Sequence, residues 1–189
     1  MKIFETLQDL REARFGSAGQ LVKIKGHTVA GIGGGEFRVI SASEAASTGY
    51  TDTDITPRLA DGKYAVREQS TPVTPYEFGG FGTNTSDDTD SFKKLASFID
   101  ANPSWPFIIS KPSVAWVITD TVEWFNNITN TGPAPYCIKT EGQRVRFFSS
   151  VVPMFELNPA GTYIIEGGQL DPITIYPTGL LGYANGLIR

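Results

Sequence analysis

The chain has 189 residues, 40% of them apolar and 19% charged, and its 16 Lys and Arg against 20 Asp and Glu leave a formal net charge of −4. That balance excludes wholesale disorder, which needs low hydrophobicity and high net charge. It also argues against a non-specific nucleic-acid binder, which must neutralise phosphates with clustered Lys and Arg. No apolar run reaches the roughly 18 residues of a membrane-spanning helix, so no membrane insertion is expected. The first residues carry Glu5, Arg11 and Glu12 where an export leader would need an apolar stretch. The single cysteine, Cys137, allows no internal disulfide and reads as a small buried apolar residue. The single histidine, His27, leaves zinc sites and serine or cysteine triads short of parts. No metal and no cofactor are expected. The 20 Gly and 12 Pro, with many short apolar stretches, point to a β-rich chain punctuated by turns.

Residues 6–15 have helical spacing, with Leu7, Leu10 and Arg11 on one face, Thr6 as cap and Asp9 three residues on. Residues 20–26 alternate, Val22 and Ile24 opposing Leu21, Lys23 and Lys25, which predicts a half-buried strand. A glycine-rich turn at 31–35 feeds a strand at 36–40. The small, polar stretch 41–57 predicts a loop, and 63–68 another strand. Pro72 and Pro75 make 70–78 an extended connector.

The most regular segment is a helix at 87–101. Asp87 is its predicted N-cap, and Asp90 follows three residues later as a capping-box-like acid. Phe92, Leu95, Ala96 and Ile99 form one apolar stripe. Asn102-Pro103 ends the helix. Short strands follow at 106–110, 113–120, 136–140, 144–148, 152–157, 162–166 and 172–176, with no helix pattern between them. Sandwiches and β-helices both fit that spacing. An amphipathic helix directly before the first coils of a β-helix is a natural cover for its open end.

Several groups invite a chemical reading. The run Gly31-Ile32-Gly33-Gly34-Gly35 lacks the Gly-Lys-Ser/Thr ending of a phosphate loop and leads into a strand, so a tight turn is expected. The acids of Ser86-Asp87-Asp88-Thr89-Asp90 lack the spacing of a calcium loop and read as helix caps. Glu123, Glu141, Glu156, Glu166 and Asp171 could supply the carboxylate pair of a glycoside hydrolase, or be ordinary surface acids. Trp105, Trp116, Trp124, Phe125 and Tyr136 could stack on sugars. Trp116 lies in an alternating strand, which favours a core or subunit interface.

From Tyr76 onward the sequence resembles the start of the pectate-lyase-like right-handed β-helix of bacteriophage tailspikes and capsule depolymerases. The residues that carry this are Glu77-Phe78-Gly79-Gly80-Phe81-Gly82, then Ser86-Asp87-Asp88-Thr89, then Phe92, Leu95 and Ile99. Trp105-Pro106-Phe107-Ile108-Ile109 and residues 114–119 stand for the first strand pair. Gly79-Gly80 departs from the family's Gly-Ala, and Lys111-Pro112-Ser113 from its Pro-Gly. Upstream, 21–25, the turn at 26–35 and Glu36-Phe37 resemble the unit that precedes the β-helix in many tailspikes. Asp61-Gly62-Lys63-Tyr64 resembles that unit's closing turn, with Tyr for Trp.

The resemblance implies a mainly β chain with short helices. Residues 1–73 would be a small N-terminal β unit that anchors to the virion. Residues 74–189 would hold a capping helix and the first coils of a right-handed parallel β-helix. It implies a homotrimeric spike of the phage tail, made in the bacterial host cytoplasm. The N-terminal unit would contact other tail or baseplate proteins, and the β-helix would extend toward bacterial surface polysaccharide. Family catalysis, as lyase or hydrolase, sits on later coils or between subunits, so no catalytic residue is carried over. The alternatives are a polysaccharide-degrading enzyme complete as it stands, and a carbohydrate-binding module of another origin.

Overall fold

Alternation along the first strands decides the core of the N-terminal part. Val22 and Ile24 fall on one face of their strand, and Phe37 and Val39 on one face of the next. In a computed structural model, which describes residues 1–68, 72–102, 105 and 107–124 and the strands at 145–149, 155–157 and 173–177, these faces meet. The chain divides into two compact units, Met1–Thr71 with Tyr76–Gly79, and Pro72–Pro75 with Gly80–Arg189.

The first unit holds one four-stranded sheet in the order β1 (Lys2–Phe4), β2 (Leu21–Gly26), β3 (Gly33–Ile40) and β4 (Tyr64–Arg67). β1 runs parallel to β2; the other neighbours are antiparallel. Helix α1 (Leu7–Arg11) covers one face. It is shorter than the spacing predicts, and its capping box pairs the Thr6 hydroxyl with the Asp9 N–H and the Asp9 carboxylate with the Thr6 N–H. Leu7 and Leu10 pack with Phe15, Val22, Ile24, Phe37, Val39, Leu59 and Ala65. Each large apolar side chain so buried contributes roughly 1.5–3 kcal/mol.

Several elements differ from the sequence reading. The connector 70–78, expected to be extended, coils into a 3-10 helix at Pro75–Phe78, and β3 takes in Gly33, Gly34 and Gly35 of the turn expected at 31–35. The stretch 41–57 is not all loop: Ala42–Thr48 forms helix α2, started by the Ser41 hydroxyl accepting from Glu44 N–H and ended by Gly49 at φ +76°. Ser41 and Gly49 are ordinary start and stop residues, but one buried side chain, Ala45, gives the helix almost no periodic signal. Ala45 packs on Ile40 and Val66. The second addition is β1, whose three residues take strand form through pairing with β2.

In the second unit, α3 (Thr89–Ala101) precedes short strands that pair in parallel. One set has the order β5 (Trp116–Ile118), β7 (Val145–Ser149), β9 (Ile173–Pro177), and the other pairs β6 (Val122–Trp124) with β8 (Phe155–Leu157). The register pairs the backbone of Trp116 with that of Phe147, and Phe147 with Ile175. Two earlier parallel bridges, Val73 to Phe107 and Thr83 to Ala115, belong to the same unit. The expected strands at 113–120, 144–148, 152–157 and 172–176 are present in shorter or shifted form, and β6 is an addition. Those at 136–140 and 162–166 lie outside the described residues. The chain is β-rich with few helices.

Candidate functional site

The start of α3 gathers the residues that the sequence singles out. The sequence places the N-cap at Asp87; in the structure that position falls to Asp88, and the Asp88 carboxylate does not bond the helix N–H groups. It turns back and accepts from the N–H groups of Phe81 (2.7 Å) and Gly82 (3.3 Å) through one oxygen and of Val117 (3.1 Å) through the other. Asp88 is 1% exposed. Burial pushes its carboxyl pKa above 3.8, and the neighbouring Asp87 adds to this, while the three N–H bonds pull the other way.

Asp87 serves the helix from one residue earlier. One oxygen accepts from the N–H (2.9 Å) and hydroxyl (2.6 Å) of Thr89, and the other from the Thr119 hydroxyl (2.5 Å). Partial burial raises its pKa, but the bonds from Thr119 and Thr89, with the charge of Lys93, outweigh this and hold it below 3.8. The Thr89 hydroxyl also accepts from Thr119 N–H at 2.8 Å. Asp90 is exposed in the first turn, where its charge suits the helix dipole. Lys93, exposed on the same helix, pairs with Asp120.

The stripe Phe92, Leu95 and Ile99 is fully buried, with Ala96 beside it. Phe92 meets Trp116 edge to face at 5.3 Å between centroids, and Phe98 meets Trp105 likewise at 5.2 Å. The Trp116 indole N–H donates to the Ser110 carbonyl at 3.1 Å. Trp105 and Trp116 are therefore core residues and offer no sugar platform. The side chains of Trp124, Phe125 and Tyr136 lie outside the described residues, as do Cys137, Glu141, Glu166 and Asp171.

Among the acids, Glu123 is exposed on β6 and stands in register with Glu156 on β8. Among the described residues no group of three or more His, Cys, Asp and Glu is placed to hold a metal, and no helix is long and apolar enough to cross a membrane. In the first unit, His27 lies in the turn after β2 with Nε2 3.2 Å from the Asp54 carboxylate. A groove of about 750 Å³ in this unit is bordered by charges of both signs, Lys23, Lys25 and Arg67 with Glu36 and Glu68.

No family model and no curated protein matches the sequence. Solved structures do match. Tailspike protein 4 of bacteriophage CBA120, as its enzymatically active domain, aligns over 95% of this chain and 24% of its own, with a TM-score of 0.63 and 13% identity. The tailspike of Acinetobacter baumannii phage AM24 aligns over 80% of this chain and 24% of its own, at 0.59 and 23%. The fold is tailspike-like. Tailspike-like too is WceF of Pantoea stewartii, described as a glycan biofilm modifying enzyme with a tailspike-like parallel β-helix; it aligns over 82% of this chain and 24% of its own, at 0.52 and 16%. The chain spans about a quarter of the length of these tailspike-like structures.

The sequence singles out the stripe and the acids at the start of α3, but it gives no sign of what Asp88 does. Its partners are backbone groups of Phe81, Gly82 and Val117, and no side-chain motif marks a backbone N–H.

Proposed function

We propose that this chain is the N-terminal part of a homotrimeric phage tailspike. Its first unit, roughly residues 1–73, attaches to other tail or baseplate proteins of the virion. Its second, roughly 74–189, leads through α3 into a right-handed parallel β-helix that recognises bacterial surface polysaccharide. The observation that carries this reading is the in-register parallel stacking of β5, β7 and β9, and of β6 and β8, directly after an amphipathic helix. In it, α3 caps the open end of the first coil and keeps unpaired strand groups from edge-to-edge association. The likeness to tailspikes over 80–95% of this chain supports the order of the parts. Sedimentation or light scattering tests the assembly. The expected mass is three times the 20.5 kDa of the chain, and a stable monomer at micromolar concentration refutes the trimer.

A second reading, a polysaccharide-degrading enzyme, draws on one observation. Glu123 and Glu156 occupy matching positions on adjacent parallel strands. Such strands lie about 4.8 Å apart, close to the roughly 5–5.5 Å between the carboxylates of a retaining glycosidase. Reducing-sugar release from capsular or O-antigen polysaccharide that is lost in Glu123→Gln would establish this reading; no release from any of them removes it.

A further inference from the structure

We propose that the groove of the first unit, along Gly34 and Gly35, is a carboxylate-binding site anchored by the Arg67 guanidinium. Arg67 stands at the end of β4 and borders the groove, yet it is only 5% exposed. Its hydrogen bonds among the described residues both leave from Nη2, to the Gly34 carbonyl at 3.1 Å and to Glu77 Oε1 at 3.2 Å. Nε, which is buried, and Nη1 have no hydrogen-bond partner among the described residues. A guanidinium has five N–H donors, so more than half of this one's capacity is unused. Burial pushes its pKa down, and the charge of Glu77 offsets this only in part. The counter-charge supplied by the chain therefore falls short of what the buried cation needs.

The glycine-rich run makes the room. A Cβ on Gly35 would fall 2.2 Å from Nη1, so the guanidinium occupies the place that any side chain at 35 would take. Gly34 and Gly35 line the groove with bare backbone. The Phe37 ring, its centroid 5.9 Å from the guanidinium, flanks the cation. The glycines that fail as a phosphate loop thus admit a cation to the groove.

The surrounding charges choose the ligand. Lys23, Lys25 and Arg67 border the groove against Glu36 and Glu68, and Glu77 already takes one bond of Arg67. Cations and carboxylates are thus balanced, which leaves no excess positive charge to hold a dianion such as phosphate. A monovalent carboxylate fits. It accepts charge-assisted bonds from the guanidinium and brings a single negative charge. The groove, at about 750 Å³, has room for such a group on a polypeptide side chain or on a small free acid.

Titration of the isotope-labelled full chain, followed through the Arg67 Nε–H resonance at neutral pH and constant ionic strength, tests the site. Acetate and the blocked peptide acetyl-Gly-Asp-Gly-amide are the probes, with acetamide and the Asn counterpart of the peptide as neutral controls. Acetate should move the resonance saturably and the controls should not. A peptide that binds at least about tenfold more tightly than acetate identifies an acidic side chain as the natural source; a smaller difference identifies a small free acid. Lys23→Gln with Lys25→Gln changes two half-exposed positions, so this variant should fold as the parent does and bind acetate about three- to tenfold more weakly. A resonance that stays still up to about 0.1 M acetate, or moves equally with acetamide, overturns the proposal. So does a Lys23→Gln, Lys25→Gln variant that binds acetate as tightly as the parent.

Discussion

Replacing Asp88 by alanine should cost far more than the loss of a helix cap. The side chain is buried and satisfies three backbone N–H groups that belong to two other segments, at 81–82 and at β5. Each donor left without an acceptor costs about 1–3 kcal/mol where water cannot reach it, and the Gly82 bond is the most enclosed of the three. Removing the carboxylate also removes its desolvation cost, which the raised pKa records, so the net loss for Asp88→Ala should be about 3–5 kcal/mol. Asp88→Asn keeps an oxygen for Phe81 and Gly82 but turns an NH₂ toward the Val117 N–H, and should cost about 1.5–3 kcal/mol. Urea titration at neutral pH, followed by tryptophan fluorescence, reads both. Trp116 reports directly, because it is buried against Phe92 of α3 and precedes Val117. An Asp88→Ala unfolding free energy within about 1 kcal/mol of the parent's would show that the carboxylate does not stitch these segments, and would refute the reasoning.

Asp87 and Asp88 should act on acid stability with opposite signs. The folded pKa of Asp87 is depressed, so its contribution is complete above 3.8 and fades as pH falls through the folded value; that of Asp88 is raised, so its contribution falls as pH rises from 3.8 through the folded value. Asp87→Asn should then flatten the loss of stability below about pH 4, and an acid limb as steep as the parent's would count against the assignment. Leu95→Asp places an unpaired charge in a fully buried stripe and should give insoluble protein, whereas Lys94→Asp, on the exposed face, should purify folded. A soluble Leu95→Asp with an unchanged melting temperature would show that the stripe covers no core.

What was legible in the sequence was local. Thr6 and Asp9 announce α1 because both halves of the capping box lie within four residues. The spacing of Phe92, Leu95 and Ile99 announces α3 because one face repeats over about two turns. Helix α2 was hidden, since its seven residues, all small except Glu44, bury only Ala45 and show no stripe. β1 was hidden because Lys2–Phe4 becomes a strand only opposite Val22–Ile24. The two buried polar centres were hidden for the same reason. Arg67 looks like any strand-end cation until Glu77 and Gly34 come to it, and Asp88 looks like a helix cap until the loop at 81–82 and β5 close around it. Long-range hydrogen bonds leave no period in the chain.

The glycine-rich run also says something about how this sequence could change over generations. Gly33, Gly34 and Gly35 are hemmed in by different neighbours: the Tyr76 carbonyl, the carbonyls of Ile24 and Lys25, and the Arg67 guanidinium. No single alanine fits at any of the three without displacing something that has its own partners. Drift there would need simultaneous change at positions far apart in the chain, so the triplet should be inherited or lost as a block. Among diverged descendants of this unit it would serve as a short signature, readable after the surface around it has been rewritten.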